Sequence, residues 1–190
     1  MGLTQTVGPT IEPVTLAEMK LHLRVDEIDE DTLIESLITA ARESAETFTW
    51  RQFITATYEL TLDTFPGVIY LPRPILQSVT SITYVDSDSA EQTVDEDTYV
   101  VKTDSVIGEV YPAYGESWPT CRGFTDDITV TFKDGYGDAA SDVPDSLKAA
   151  IRLFVGHLYE NREATVVGTI VATLPLAVES LLWNNRVVGC

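Results

Sequence analysis

Carboxylates are the side chains in this sequence with the most obvious capacity for chemistry. Asp and Glu make up 30 of the 190 residues, against 12 Lys and Arg. Two carboxyl groups held at a defined separation across a cleft can hydrolyse a glycosidic bond. With so many acids, pairs of neighbouring carboxylates arise by chance. Their spacing in the sequence therefore does not identify any pair as catalytic. A carboxylate-based hydrolase is therefore kept as an alternative function, and we predict no catalytic residue.

Asp86, Asp88 and Glu91 come closest to the pattern of a calcium-binding loop. Such a loop needs glycine at its sixth position and glutamate at its twelfth. Counted from Asp86, these positions hold Glu91 and Asp97. The segment therefore does not match a calcium-binding loop. A hairpin tip exposed to solvent is the favoured interpretation of these acids.

His22 and His157 are the only histidines, and neither has a second histidine at ligand spacing. His157 and Glu160 form an i, i+3 pair that could face a metal, but a structural histidine is the simpler interpretation. Gly135-Tyr136-Gly137 lacks the lysine of a phosphate-binding loop. We predict no metal and no cofactor.

The distribution of charge excludes tight binding to nucleic acid. The net charge is −18, and residues 1–142 carry 26 acids and 8 bases, whereas residues 143–190 carry 4 of each. DNA binding relies on Lys and Arg to neutralise phosphates, so this surface should repel a duplex. A DNA mimic or regulatory binding module is a second alternative. The neutral C-terminal end favours contact with a partner.

Targeting signals and membrane spans are not predicted. No stretch approaches the ~18 apolar residues of a transmembrane helix, and the first ten residues lack a basic start and an apolar run. Cys121 and Cys190 have no redox or zinc spacing, so free thiols are expected. We expect synthesis in the cytoplasm and no membrane partner.

Helical periodicity marks three main helices. Thr15 and Glu18 form a capping box before a short helix that ends near Arg24. A longer amphipathic helix is predicted from Asp31 to Phe48, with Arg42 and Glu46 mainly outside its apolar stripe. A third begins near Pro144, and Pro175 can begin a last short helix.

Between the second and third predicted helices, apolar residues recur at every second position, which is the spacing of strands. Alternating or β-branched runs separated by Gly and Pro predict a small antiparallel sheet of about five or six strands. The candidate strands are Thr57–Leu62, Val79–Val85, Tyr99–Val101, Glu109–Tyr111 and Ile128–Phe132. Because an isolated amphipathic helix must bury its stripe, we expect the two long helices to pack together.

The predicted fold is therefore α+β, a small core of three main helices with an inserted antiparallel β subdomain and an extended or short-helical C-terminal arm. Residues 1–54 form the N-terminal part of the core, 55–138 the insertion, 139–164 a core helix and 165–190 a docking arm. The apolar residues of the arm are the predicted partner-contact site: Leu176, Val178, Leu181, Leu182, Trp183 and Val187.

Several segments in order resemble the head–tail connector (adaptor) family of tailed bacteriophages, in its long form with a β-rich insertion. These segments are PVTLAEMKLHLRVDEIDED (13–31), LIESLITAARESAETFT (33–49), LPRPILQSVTSITYVD (71–86), FKDGYGDAA (132–140), VPDSLKAAIRLFVGHLYENREA (143–164) and LPLAVESLL (174–182). The resemblance covers nearly the whole chain.

This resemblance implies a structural virion protein at the head–tail interface without catalytic residues. It implies a homo-oligomeric ring, commonly of twelve subunits, beneath the portal protein. The C-terminal segment would reach into the portal, and the opposite side would receive the tail, a stopper or a tail-terminator protein. The genome would pass through the channel without specific binding.

Overall fold

The chain forms a mixed α+β fold, as the sequence predicted. The structure is a computed structural model that describes residues 1–161 and 175–187. Residues 165–174 and 188–190 of the predicted docking arm, among them Cys190, lie outside the described residues. The described helices are α1 (Leu16–Leu23), α2 (Asp31–Thr49), α3 (Asp145–Glu160) and α4 (Leu176–Trp183). The strands are β1 (Gly2–Val7), β2 (Ala56–Leu62), β3 (Ile69–Leu71), β4 (Leu76–Val85), β5 (Glu91–Thr93), β6 (Tyr99–Lys102), β7 (Gly108–Pro112) and β8 (Ile128–Asp134).

These elements divide into two compact units. The strand unit contains Met1–Thr10 and Thr55–Tyr136, and the helical unit contains Ile11–Ile54 and Gly137–Cys190. Each unit is therefore assembled from two separate parts of the chain. The first ten residues, which we had grouped with the helical core, belong with the strands because β1 pairs with β2.

The helical unit begins with the predicted capping box. The Thr15 hydroxyl accepts a hydrogen bond from the Glu18 amide at 3.2 Å, and the Glu18 carboxylate accepts one from the Thr15 amide at 2.8 Å. The Thr15 amide and hydroxyl together hold the pKa of Glu18 below its usual value. The box satisfies amide groups that the first turn of a helix leaves without partners.

Packing of the apolar helix faces builds the core of this unit. As expected, α2 and α3 pack against each other, and α4 packs mainly on α3. The buried residues recur three and four positions apart, the spacing of one helix face. They are Met19, Ile34, Ile38, Ala41, Ala45, Leu147, Ala150, Ile151, Phe154, Val155, Val178 and Leu182, and Val14 is buried just before α1.

Two charged residues of α2 lie in this core, which corrects our expectation that they would stay outside its apolar stripe. Arg42 and Glu46 are each 5% exposed. The Arg42 guanidinium donates to Glu46 at 2.8 Å and to Glu12 at 2.8 Å. The second Glu46 oxygen accepts from the Gln52 side chain at 2.9 Å and the Phe53 amide at 3.0 Å. Burial is tolerated because each charge has partners.

The strand unit contains two sheets, where the sequence pattern indicated one. The first has five strands in the order β1-β2-β8-β4-β5, and the second has three in the order β3-β7-β6; every pairing is antiparallel. The five predicted strands are all present. The short strands β3 and β5 were not predicted, since three residues are too few to show an alternation.

The inner face of β8 carries an acid at the end of an apolar row. Alternate residues of this strand are buried, namely Ile128, Val130, Phe132 and Asp134. Asp134 is 1% exposed, and neither of its carboxyl oxygens has a hydrogen-bond partner within the described structure. Burial raises the pKa of Asp134 to about 9, although the Arg73 charge acts to lower it. The carboxyl is therefore protonated at neutral pH.

Candidate functional site

The last described helix, α4, has one buried and one exposed apolar side. Val178 and Leu182, four residues apart, are buried in the helical unit. Leu176 and Trp183, seven residues apart, are 80% and 53% exposed. Positions separated by two helical turns project from the same face. The exposed side therefore presents two large apolar side chains to any partner.

These two side chains border a shallow surface depression on α4. It has a volume of about 290 Å³ and is lined by Leu176, Glu179, Ser180 and Trp183. One carboxylate and one hydroxyl thus lie between the two apolar side chains. Large apolar side chains beside a few polar groups are the kinds of group that protein interfaces use. We refer to these four residues as the α4 face.

Contacts with the end of α2 position the α4 face. The rings of Phe48 and Trp183 lie 6.2 Å apart, and the Arg186 guanidinium lies 5.2 and 5.1 Å from their centroids. Arg51 donates to the carbonyl of Asn185 at 2.6 Å, and the Val187 amide donates to the carbonyl of Thr49 at 3.0 Å. The described part of the C-terminal segment is therefore held on its own helical unit.

The structure divides the six residues of the predicted contact site into three groups. Val178 and Leu182 are buried within the chain, Leu181 and Val187 are half-buried, and Leu176 and Trp183 are exposed. Sequence reasoning missed Glu179 and Ser180, although the i, i+3 and i, i+4 spacing from Leu176 to Trp183 places them on the same side. It also missed the supporting Phe48 and Arg186, whose contact joins distant parts of the chain.

The acidic hairpin between β4 and β5 uses its first carboxylate to shape its own turn. Asp86 accepts hydrogen bonds from the amides of Asp88 and Ala90 and from the side chain of Gln92, at 2.9 to 3.0 Å. The Ala90 amide and the Gln92 side chain lower the pKa of Asp86 below its usual value. Within residues 1–161 and 175–187, no group of three His, Cys, Asp or Glu side chains is placed to hold a metal.

The aromatic residues of the strand unit contribute mainly to its core. Phe65 and Trp118 stack with centroids 5.0 Å apart and planes 10° apart, and Tyr99 lies 6.4 Å from Trp118. Tyr114 is fully exposed.

His157 contacts the Asn161 amide group at 3.3 Å at the end of α3. None of the described helices is both long and apolar enough to cross a membrane.

Residues 13–111, more than half of the chain, match the model of the phage gp6-like head-tail connector protein family. The chain belongs to this family. The connector is thus a structural phage protein that acts at the head–tail interface. None of the curated proteins compared with the connector matches it.

Solved structures share the fold over the full length of the connector. The neck of an empty gene transfer agent particle, computed with C6 symmetry, contains a chain that is 24% identical, with a TM-score of 0.81. The native particle's neck, computed with C12 symmetry, contains one that is 22% identical, with a TM-score of 0.78. In both cases the similarity covers 100% of the connector and 97% of the other chain.

Proposed function

We propose that the connector acts as a ring of identical subunits between the portal and the tail, with the genome passing through its channel. Membership of the head–tail connector family carries this proposal. The fold is also that of chains from particle necks solved with sixfold and twelvefold symmetry, which supports a cyclic arrangement of twelve copies. A stopper or tail-terminator protein would bind the opposite side of the ring.

The charge of the connector suits a channel through which DNA slides. The strand unit carries 14 acids and 4 bases, and the helical unit carries 16 and 8. Both units therefore repel phosphates, and neither offers the basic surface that holds a duplex. A ring built from such subunits would guide DNA without retaining it.

The connector acts by binding rather than by catalysis in this proposal. Asp86, the first acid of the hairpin, has its carboxylate engaged in the turn. Asp134, the acid with the most strongly raised pKa, is buried in the sheet away from solvent. A hydrolytic pair needs two carboxyl groups open to the same cleft, and neither of these acids meets that condition.

We assign portal binding to the α4 face. Leu176 is exposed in the isolated subunit, so its burial against a partner would contribute about 2 kcal/mol per copy. Around a ring the same contact is repeated in every subunit, which raises the overall avidity. Because Arg186 contacts Phe48 of α2, and Arg51 just after α2 bonds Asn185, the flanking segment is already fixed and little ordering is needed when the portal binds.

Leu176→Asp should weaken portal binding at least tenfold, since it removes apolar burial and places a charge in the contact. Pull-down of the connector by purified portal rings, quantified by titration, measures this effect. Leu176 is exposed on α4, so the variant should fold like the wild type.

The matched control is Leu21→Asp, because Leu21 is 82% exposed on α1, close to the 80% of Leu176. This variant should bind the portal as well as the wild type does. Equal affinities for Leu176→Asp and Leu21→Asp would show that the α4 face does not contact the portal.

A further inference from the structure

The five-stranded sheet ends in an open strand at one edge. β1 pairs with β2 through residues 2–7, and all six of its residues are exposed. Among residues 1–161 and 175–187, β1 has no strand on its other side. An edge strand exposes unpaired amide and carbonyl groups, which form a template for another strand.

The opposite edge of the sheet is open over a similar length. β5 covers β4 only from Thr83 to Val85, and the Val94 amide bonds the carbonyl of Ile82. Residues 77–81 of β4 have no strand beyond them in the described part of the chain. Gln77, Ser78 and Thr80 are exposed there. The sheet therefore has two free edges of five to six residues, one on each side.

Neither edge carries a charge, which sets both apart in a protein with a net charge of −18. β1 reads GLTQTV and β4 reads LQSVTSITYV, without one Asp, Glu, Lys or Arg. Natural proteins usually place charges or proline on an open edge to prevent pairing. Because the copies carry the same negative charge, they repel one another over most of their surface. Two copies therefore meet the least electrostatic repulsion where they approach through uncharged edges.

Strand directions at the two edges are compatible with pairing between copies. The strands β1, β2, β8 and β4 are successively antiparallel, so β4 runs opposite to β1. Placing β4 of one copy beside β1 of the next therefore continues the antiparallel order. Such a contact joins two different surfaces of the chain, head to tail. When the rotation from one copy to the next adds up to a full turn, the copies form a closed ring.

We propose that the free edge of β1 pairs with residues 77–81 of β4 in a second copy, so that the ring closes by extending the five-stranded sheet from subunit to subunit. This inference rests on the ring of the proposed function and names the contact that forms it.

Disulfide cross-linking between the two edges tests this contact. In a chain with both native cysteines replaced by serine, Thr4→Cys or Gln5→Cys is combined with Ser78→Cys or Thr80→Cys. Thr4 and Gln5 are adjacent and so cover both faces of β1, whereas Ser78 and Thr80 are two exposed positions of β4. Within one chain β1 and β4 are three strand spacings apart, about 14 Å, which is beyond the roughly 7 Å limit of a disulfide. Any disulfide must therefore join two copies.

Rings assembled with portal are oxidised, checked by electron microscopy and run on a denaturing gel. We expect at least one pair to give a ladder of covalent multimers that a reductant abolishes. The control pair Thr4→Cys with Ser87→Cys, in the hairpin tip, should stay monomeric. Intact rings with monomers from all four pairs would overturn the edge pairing alone. Failure to form any ring would overturn the proposed function itself.

Discussion

Replacing Asp134 by Asn should stabilise the connector at pH 7 by up to about 4 kcal/mol. The Asp134 carboxyl is buried in the sheet without a hydrogen-bond partner, and its pKa is raised from 3.8 to about 9. Keeping it protonated three pH units above its unfolded pKa costs about 1.4 kcal/mol per unit. Asn has nearly the same shape and never ionises, so the variant avoids this cost.

The sign of the pH dependence follows from the raised pKa. Between pH 4 and 9 the folded state binds more protons at Asp134 than the unfolded state does. The wild type therefore loses stability as pH rises through this window. The advantage of Asp134→Asn should be near zero at pH 4 and largest at pH 9.

Urea unfolding at several pH values measures this difference, with Asp88→Asn as the control. Asp88 lies exposed in the hairpin, so its replacement removes one negative charge without changing the core. The control should shift stability by less than ~0.5 kcal/mol at every pH. An Asp134→Asn advantage that does not grow from pH 5 to pH 8 would contradict the protonated, buried carboxyl.

Replacing Arg42 by Met should destabilise the connector by about 3 to 5 kcal/mol, the usual cost of breaking a buried ion pair. Burial acts to lower the pKa of Arg42, but Glu46 and Glu12 outweigh it and raise that pKa overall. Without the guanidinium, the buried Glu46 carboxylate loses its cation, and Glu12 loses its bond at 2.8 Å.

Glu43→Gln is the matched control for Arg42→Met. Glu43 also faces Arg42, but at 3.7 Å and with a side chain that is 65% exposed. An exposed pair of this kind contributes less than ~1 kcal/mol, so the control should unfold at nearly the wild-type urea concentration. Equal destabilisation by the two variants would show that Arg42 is not held by its buried partners.

The helices of the connector could be predicted because their signals are local. The Thr15–Glu18 capping box, the stripe from Ile34 to Ala45 and Pro144 each lie within a few turns of the element they define. The burial of Arg42 and Glu46 was not predictable in this way. It depends on Glu12, Gln52 and Phe53, which are close in space but not in helical spacing.

The strands show the same division between local and distant information. β2 and β8 alternate clearly and are buried on one face. β1 is exposed on both faces, so no apolar alternation marks it, and only pairing with the distant β2 defines it. The predicted strand from Ile128 stopped at Phe132. Extending the alternation by two residues would have placed Asp134 in the core.

The docking site could be predicted only as a region. Composition identified an apolar, charge-balanced C-terminal end, and Pro175 indicated a helix start. The rotation of α4 about its own axis decides which of its residues face outward. Contacts of Trp183 with Phe48 and Arg186 fix that rotation. Val178 and Leu182 consequently face the core, while Leu176 remains exposed.

An image of the neck in the assembled particle tests the central claim most directly. Cryo-electron microscopy at a resolution that traces the chain should show a closed ring of connector subunits at the head–tail junction, surrounding the DNA channel. The α4 face of each subunit should contact the portal. A neck that lacks this chain, or that holds it as separate subunits outside the channel, would contradict the account.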